Sequence, residues 1–525
     1  MKKLSSKTKQ QNKLSARIRF ICCLCSVLFF SFFLLTVFWD YSNITATKYT
    51  LFLVLSFGIG AYYIFEKGSH FLECPQKLNL TSSDKFIYIM GAAFLLFSVL
   101  SCVFSPYTSF VNSKGQSILL FGSGRYDGLL TLSLYVLLFL IFSFEQIFSR
   151  LHIIVISIVT LIMSAIGIPQ LAGINVLGFY PQGNYYTNGE DFISTLGNVD
   201  FVSTCLVMTL AVAAFSYITL KADKVIKNLC PITYGVGLFF LAKLSVESGF
   251  LAIVLLLAIT LPFMSLNKDR LIGMVDVLAV TMLSFAVGSV VNFSEDAGIK
   301  FSISGRTFLL AGIALAFFIL RIALERFYPE KGVKHLWLVL ILSEVAGLVA
   351  LVIYVINYKG THGTLWELSE ILKGNIQDSF GHKRIGLWKY TLMAVKERWF
   401  LGYGIGTFRQ GFKDFAKEIA PEFSKGAFDF AHNEYLQILY NSGILGLLSY
   451  LGFISAILIG GFKKLSEKPL AVVLTFSVIG YLIQAFFTFS IAIISPLFWL
   501  LLGMLLGATK EDSAETKQLK QPYQI

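Results

Sequence analysis

Long apolar runs separated by short polar segments dominate this chain. The first run covers about residues 20–38 and ends in Phe38-Trp39-Asp40 rather than in small residues, so it predicts a retained span and not a cleaved signal peptide. A membrane-crossing helix needs about 20 apolar residues. Further runs near this length follow at about 50–65, 86–105, 128–148, 151–171, 197–218, 229–244, 249–266, 271–291, 307–325, 336–357, 443–461, 470–489 and 493–508. The pattern predicts an all-α polytopic membrane protein with about 14 transmembrane helices.

One long hydrophilic segment, residues 358–442, interrupts these runs. Apolar residues recur at helical spacing over 365–372, which predicts an amphipathic helix on the membrane surface. Phe412, Phe415 and Ile419 indicate a second helix. We therefore predict one large helical loop rather than a disordered insertion.

Composition agrees with a membrane protein. Hydrophobic residues make up 56% of the 525 residues, charged residues 14%, and the mean hydropathy is +0.72. A soluble domain carries roughly 25% charged residues, and a soluble fold of this length has too little core to bury so much apolar surface. A soluble enzyme, a disordered chain and a coiled coil therefore all fit the composition poorly.

The distribution of basic residues predicts the orientation. Lys and Arg number 43 and Asp and Glu 31, a net charge of +12. With the N-terminus inside, 26 basic residues lie on the inner side, whereas the short outer loops hold only Lys48, Lys114, Arg125, Lys300 and Arg306. Cytoplasmic loops carry the excess of Lys and Arg. Both termini are therefore predicted to be cytoplasmic, and the charge implies no nucleic-acid partner.

These predictions divide the chain into five parts. A basic cytoplasmic N-terminus (1–19) is followed by a transmembrane bundle (20–357) and an extracytoplasmic catalytic loop (358–442). C-terminal transmembrane helices (443–508) and a cytoplasmic tail (509–525) complete the chain as given.

His432 is the candidate general base. Asp429 is a plausible helix N-cap, which would place His432 in the first helical turn. The positive end of the helix dipole disfavours imidazolium there, and a neutral imidazole can accept a proton. A histidine that packs near a helix start is the simpler alternative.

Three arginines at the predicted outer face are candidates for binding phosphate. Arg384 precedes Trp388 on a predicted helix, and Arg125 and Arg306 each follow Ser-Gly. A guanidinium is always charged and fits phosphate oxygens with paired donors. At the headgroup level the obvious phosphate belongs to a lipid pyrophosphate. The alternative is that these arginines anchor the topology or extend from the bundle to water.

Other features indicate packing rather than chemistry. The Gly-x-Gly-x-Gly run at 402–406 has no βαβ context, so it predicts a tight turn or a close backbone approach. Asp276 and Glu344 lie inside predicted spans, where a charge is costly; each is either functional or hydrogen-bonded within the bundle. The chain contains no two CxxC motifs that could together bind zinc, and no cluster of His and Asp residues at metal-binding spacing. We therefore predict no metal and no cofactor.

Taken together, the motifs resemble the O-antigen ligase and polymerase family. The matching order is Arg-x-x-x-Trp, Gly-x-Gly-x-Gly, Ala-His-Asn-x-Tyr-Leu and Gly-x-x-Gly, here at 384–388, 402–406, 431–436 and 443–446. Weaker matches lie at 197–200 and 124–128. Where the family often has Ser-Arg-Gly, this chain has Glu247-Ser248-Gly249. This chain therefore lacks a phosphate-binding arginine at that position. Either Arg306 or Arg125 replaces it, or the glycan donor binds in a different position.

The resemblance implies a metal-independent glycosyltransferase of the cell membrane. It would take a glycan from undecaprenyl pyrophosphate on the outer leaflet and join it to a hydroxyl of a glycan, lipid, protein or wall acceptor. By matching position, His432 would activate the acceptor, Arg384 would hold the pyrophosphate, and Asn433 would help to orient the site.

Three alternatives remain open at this stage. Polymerase and ligase differ only in the acceptor, which the sequence does not decide. A peptidoglycan polymerase of the shape, elongation, division and sporulation type would also have many spans and an outer loop, but no residue here favours it over the Ala-His-Asn match. A transporter or lipid flippase would predict charges within spans and pseudo-symmetric halves; the chain has few such charges and no evident repeat.

Overall fold

The chain folds almost entirely into helices. The computed structural model describes residues 2–37, 43–73, 80–175, 177–179, 193–294, 298–329, 333–426 and 428–510. Within these ranges the one sheet is a hairpin of β1 (Val291–Ser294) and β2 (Gly298–Phe301), paired antiparallel. The predicted end of the first span at Phe38 and the tail beyond residue 510 lie outside the described residues.

Nineteen α-helices are described. In chain order, α1 to α19 are Lys2–Leu28, Ile44–Glu73, Ser82–Val103, Ile118–Phe121, Leu129–Phe144, Arg150–Gln170, Val199–Thr219, Lys224–Lys243, Glu247–Met264, Lys268–Val290, Gly305–Phe327, Leu336–Ile356, Thr364–Leu372, Arg384–Glu397, Phe408–Ile419, Pro421–Ser424, Glu434–Lys463, Pro469–Gln484 and Ser495–Thr509. A π-helical turn, Phe29–Phe33, continues α1.

Eleven of the described helices are long and apolar enough to cross a membrane. Three shorter apolar helices, α5, α18 and α19, lie at other predicted spans. A polytopic all-α membrane protein is therefore confirmed. The number of crossings and the side on which each terminus lies remain predictions.

Helix α7 is the centre of the bundle, and α11 and α12 lie at its edge. In α7, 94% of the apolar window is buried, against 6% in each of α11 and α12. A helix that is apolar on all sides suits either a protein core or a lipid environment. Helices of similar hydrophobicity thus occupy both the centre and the edge of the bundle. Their packing, and not their composition, distinguishes the two positions.

Two charged groups are held inside the bundle by specific partners. Lys48, which we placed in an outer loop, is instead fully buried in α2, and its ammonium donates to the carbonyls of Phe33 and Leu34 at 2.6 and 2.7 Å. It thereby satisfies carbonyls where the first helix ends. Asp276 accepts from the Tyr217 hydroxyl at 2.7 Å and pairs with Arg321 at 2.7 Å, so it is hydrogen-bonded within the bundle.

Glu344 differs from Asp276. Its Oε1 atom is buried in α12 and has no hydrogen-bond partner among the described residues. Nothing in the described part of the chain assigns this carboxyl a role.

The segment 358–442 contains helices α13 to α16, which confirms both predicted helices in it. It packs on the ends of bundle helices: the Arg398 guanidinium donates to the Phe104 carbonyl at 2.6 Å, and the Ser105 hydroxyl donates to the Tyr403 carbonyl at 2.5 Å. Helix α17 begins nine residues before the predicted span and bends at Gly443, where φ is 65°.

Candidate functional site

The predicted motifs meet around Ala431. The Trp388 indole donates a 2.9 Å hydrogen bond to the Ala431 carbonyl, and the Ala431 amide donates to the Gln437 side chain at 2.8 Å. Trp388 lies one turn after Arg384 on α14, and Gln437 lies in the first turns of α17. The backbone immediately before His432 is therefore fixed from both sides.

The start of α17 differs from our prediction. Asn433, not Asp429, is the N-cap, and its side chain accepts the Leu436 amide at 3.0 Å. His432 precedes the helix instead of lying in its first turn, and its φ of 50° is left-handed. A non-glycine residue in this region is uncommon and is typically held by its surroundings, often at functional sites. Asn433 thus fixes the turn that carries the imidazole.

His432 is held as a neutral imidazole. Its ring is partly buried and meets the Phe489 ring edge-on, with the centroids 5.1 Å apart. Burial lowers the pKa of His432 to about 4, aided by the positive charge of Arg384 and opposed by the Asp429 carboxylate. Its Nδ1 atom is buried without a hydrogen-bond partner among the described residues. At neutral pH this side chain can accept a proton.

Arg384 brings a positive charge to the same place. It is the first residue of α14 and follows three residues with positive φ, 381–383. Its side chain is partly buried, and its charge acts on His432 and on Asp200 at the start of α7. No hydrogen bond or ion pair within the described ranges engages the guanidinium, so its donors are available to an anion.

The two remaining predicted arginines have different positions. Arg125 pairs with Asp429, with Nε 3.3 Å from Oδ2, and so adjoins the site. Arg306 begins α11 as an exposed residue, and nothing in the described structure bonds it to Arg384, Arg125 or His432. The structure therefore places Arg125 against Asp429, three residues before His432, and shows no such contact for Arg306 among the described residues.

Sequence reasoning did not identify Arg409. This residue of α15 pairs with the second oxygen of Asp429, with Nε 3.4 Å from Oδ1. No motif signalled the pair, because the two residues belong to different segments that packing brings together.

A small cavity with a mainly apolar lining and two buried carboxyl groups adjoins the site. Asp127 and Glu434 both line a space of about 70 Å³, which is large enough for water. Burial raises the pKa of Asp127 to about 6. Glu434 is buried and accepts the hydroxyls of Tyr481 and Tyr450 at 2.7 and 3.3 Å. Glu434 stood in a recognised motif, but its sequence neighbours did not reveal its partners.

The glycine run forms the predicted tight turn. Gly402, Gly404 and Gly406 have φ of 77°, 102° and 76°. A Cβ atom on Gly402 would lie 2.6 Å from the carbonyl oxygens of Tyr440 and Asn441. The turn lies directly against α17 just before its bend, where a side chain does not fit.

Comparison with known proteins bears on this geometry. No curated protein matches the chain. The family model described as O-antigen ligase matches residues 297–451, a range that includes α14, the glycine turn and His432. The resemblance inferred from the motifs is confirmed. Over residues 297–451, less than a third of the chain, the sequence is similar to the O-antigen ligase family.

Proposed function

We propose that the protein transfers a glycan from undecaprenyl pyrophosphate to an acceptor hydroxyl at the outer face of the cytoplasmic membrane. One observation carries the proposal: His432 is partly buried with its pKa lowered to about 4, and it lies within electrostatic range of Arg384, whose guanidinium has no hydrogen-bond partner among the described residues. A base and an anion-binding cation are the two groups that displacement of a diphosphate requires.

In the proposed reaction, the acceptor hydroxyl gives its proton to His432 as its oxygen bonds to the anomeric carbon of the glycan. The bond from that carbon to the diphosphate oxygen breaks, and the electron pair leaves with the isoprenoid diphosphate. Arg384 stabilises the charge on the leaving group. Because a diphosphate is already a good leaving group, positioning and charge stabilisation can supply much of the catalysis.

The other predicted residues take part unequally. Asn433 acts through the cap that holds His432 in place. Arg125 reaches the site through Asp429 and is the better candidate for a second phosphate contact. Arg306 remains a predicted phosphate ligand with no observation in its support.

The proposal extends to the acceptor, the termini and the metal requirement. The acceptor is a glycan, another lipid, a protein or the wall, which separates a polymerase from a ligase. Both termini are cytoplasmic. We also propose that transfer is independent of metal ions. Chelation with EDTA should leave the rate unchanged, and a loss restored by Mg²⁺ would refute this part.

Purified protein in lipid nanodiscs tests the proposal with an undecaprenyl-pyrophosphate-linked glycan and candidate acceptors. His432→Ala and Arg384→Ala should each abolish transfer while the protein still inserts. His362→Ala is the matched control, since His362 is exposed in the same segment. Full activity of either site variant would refute that residue's role. Undiminished lipid translocation by His432→Ala, with no transfer by the wild type, would favour a flippase instead.

A further inference from the structure

Asp429 lies between two arginines from distant parts of the chain. Its carboxylate pairs with Arg125 at 3.3 Å and with Arg409 at 3.4 Å. The Asp429 side chain is only 20% exposed, whereas those of Arg125 and Arg409 are 47% and 52% exposed. One negative charge thus lies between two positive ones, so the three side chains together remain positively charged. An anion arriving from solvent meets the more exposed arginines first.

Three residues further on, the imidazole of His432 lacks the partner that a general base normally has. Its Nδ1 atom is buried with no hydrogen bond among the described residues. In catalytic histidines this nitrogen usually donates to a carboxylate or carbonyl, which fixes the tautomer and leaves Nε2 as the base. Asp429 is the one carboxylate whose charge is described as acting on His432.

Charged groups approach this region from several elements. They are Asp127 and Arg125 before α5, Asp200 in α7, Arg384 in α14, Arg409 in α15, Asp429 before α17, and Glu434 in α17. Asp200 is close to Arg384, and Glu434 is engaged by two tyrosines. Asp127 acts electrostatically on Asp429 and Arg125 but is not among the charges that act on His432. Asp429 is therefore the carboxylate placed to exchange the arginines for the imidazole.

We propose that Asp429 exchanges partners when the donor binds: a phosphate oxygen of the donor takes its place on Arg125 and Arg409, and the released carboxylate accepts the Nδ1–H of His432. This inference rests on the proposed function and adds Arg409 to the donor-binding residues. Phosphate oxygens suit paired guanidinium donors. The exchange couples occupation of the donor site to orientation of the base. It also supplies a further arginine to a chain that has Ser248 where the family often has an arginine.

Binding tests the first half of the exchange. The probe is farnesyl diphosphate, titrated calorimetrically into the full-length protein in phosphatidylcholine nanodiscs, with farnesol as the uncharged reference. Arg409→Ala should weaken binding about 10- to 100-fold, the range for losing a charged hydrogen bond. Lys417→Ala, on the same helix and paired with Asp414, should not change it. Equal binding by Arg409→Ala would overturn the assignment.

The Asp429→Asn variant distinguishes an exchange of partners by Asp429 from a role in which Asp429 only holds the two arginines in position. The variant keeps the shape and removes the charge, so the arginines no longer have a competing carboxylate. Farnesyl diphosphate should bind Asp429→Asn at least as tightly as the wild type. Weaker binding would mean that Asp429 holds the arginines in position, and would overturn the proposal.

Kinetics test the second half. Asp429→Asn should lower kcat about 10- to 100-fold, as loss of a partner that orients a histidine typically does, with no rise in the donor KM. The acid limb of the rate profile should move to lower pH, because the Asp429 charge raises the pKa of His432. An unmoved acid limb with reduced folded protein would indicate a purely structural role and overturn this half.

Two further comparisons isolate the inference. A phospholipid headgroup carries similar chemistry, so binding is repeated in phosphatidylglycerol nanodiscs. Unchanged affinity supports a diphosphate site, and abolished affinity would overturn it in favour of a headgroup site. If the wild type transfers no glycan, the proposed function fails. If His432→Ala is inactive while Arg409→Ala and Asp429→Asn behave as wild type, only this inference fails.

Discussion

The indole Nε1 of Trp388 lies 2.9 Å from the carbonyl oxygen of Ala431, the residue before His432. This bond joins α14, which begins with Arg384, to the turn that carries the imidazole. The spacing of Arg384 and Trp388 thus has a structural explanation. One helical turn separates the predicted anion-binding residue from the residue that anchors the predicted base.

Removing that bond should impair transfer without unfolding the protein. In Trp388→Phe an aromatic ring remains, although it is smaller than the indole, and the Ala431 carbonyl loses its donor. An unmet hydrogen bond costs about 1–3 kcal/mol, so kcat/KM should fall roughly 10-fold as His432 loses its alignment. Trp399→Phe is the control, since Trp399 is 57% exposed and packs on Phe400. Equal rates for the two variants would contradict the anchoring role.

His432 should stay neutral well below the usual range for histidine. A free imidazole has a pKa of about 6.5, whereas burial and Arg384 lower that of His432 to about 4. Carbethoxylation by diethyl pyrocarbonate requires the neutral ring, so the His432 peptide should react at constant rate down to about pH 5. Mass spectrometry of the peptide that contains His432 measures the rate of carbethoxylation at each pH.

The same assay examines the role of the neighbouring charge. Arg384→Gln removes a cation that disfavours imidazolium, so the pKa of His432 should rise and the loss of reactivity should begin at higher pH. Arg306→Gln serves as the comparison, because no described contact joins Arg306 to the site. A midpoint that stays fixed in Arg384→Gln would show that burial alone sets the pKa.

Gly402 should tolerate substitution less well than another glycine with positive φ. Gly402→Ala and Gly374→Ala both place a side chain at left-handed backbone angles, φ of 77° and 88°, which costs about 1–2 kcal/mol in each. Only at Gly402 does the new Cβ atom meet backbone oxygens, at 2.6 Å, whereas the space beside Gly374 is open. Thermal unfolding in detergent should show the larger loss for Gly402→Ala. Equal losses would mean that the turn can move away from α17.

The buried Glu434 carboxylate should be coupled to Tyr481. Their oxygens are 2.7 Å apart, and Glu434→Gln leaves one tyrosine hydroxyl without its charged acceptor, at a cost of about 1–3 kcal/mol. In the double variant with Tyr481→Phe the two losses should not add, which thermal unfolding of all four proteins measures. The exposed pair of Lys417 with Asp414 provides the comparison, where the expected effect is below about 1 kcal/mol. Additive losses would argue against the contact.

The sequence alone predicted the features that depend on local spacing. Apolar runs predicted the bundle, and helical periodicity predicted α13 and α15. The Gly-x-Gly-x-Gly pattern predicted the tight turn at 402–406, where all three glycines have positive φ. The order of short motifs predicted a resemblance to the O-antigen ligase and polymerase family, which the match over residues 297–451 supports. These signals are visible because each arises within one helix, one turn or one apolar run.

Tertiary structure alone decided which polar groups meet. Asp429 had the sequence of a helix cap, yet it pairs with Arg125 and Arg409, while Asn433 caps α17. Lys48 had the appearance of a loop residue, yet it is buried against the end of the first helix. An ion pair between residues about 300 positions apart leaves no periodic trace in the chain. Its partners are chosen by the packing of whole helices, whose apolar surfaces are too alike for sequence to specify their neighbours.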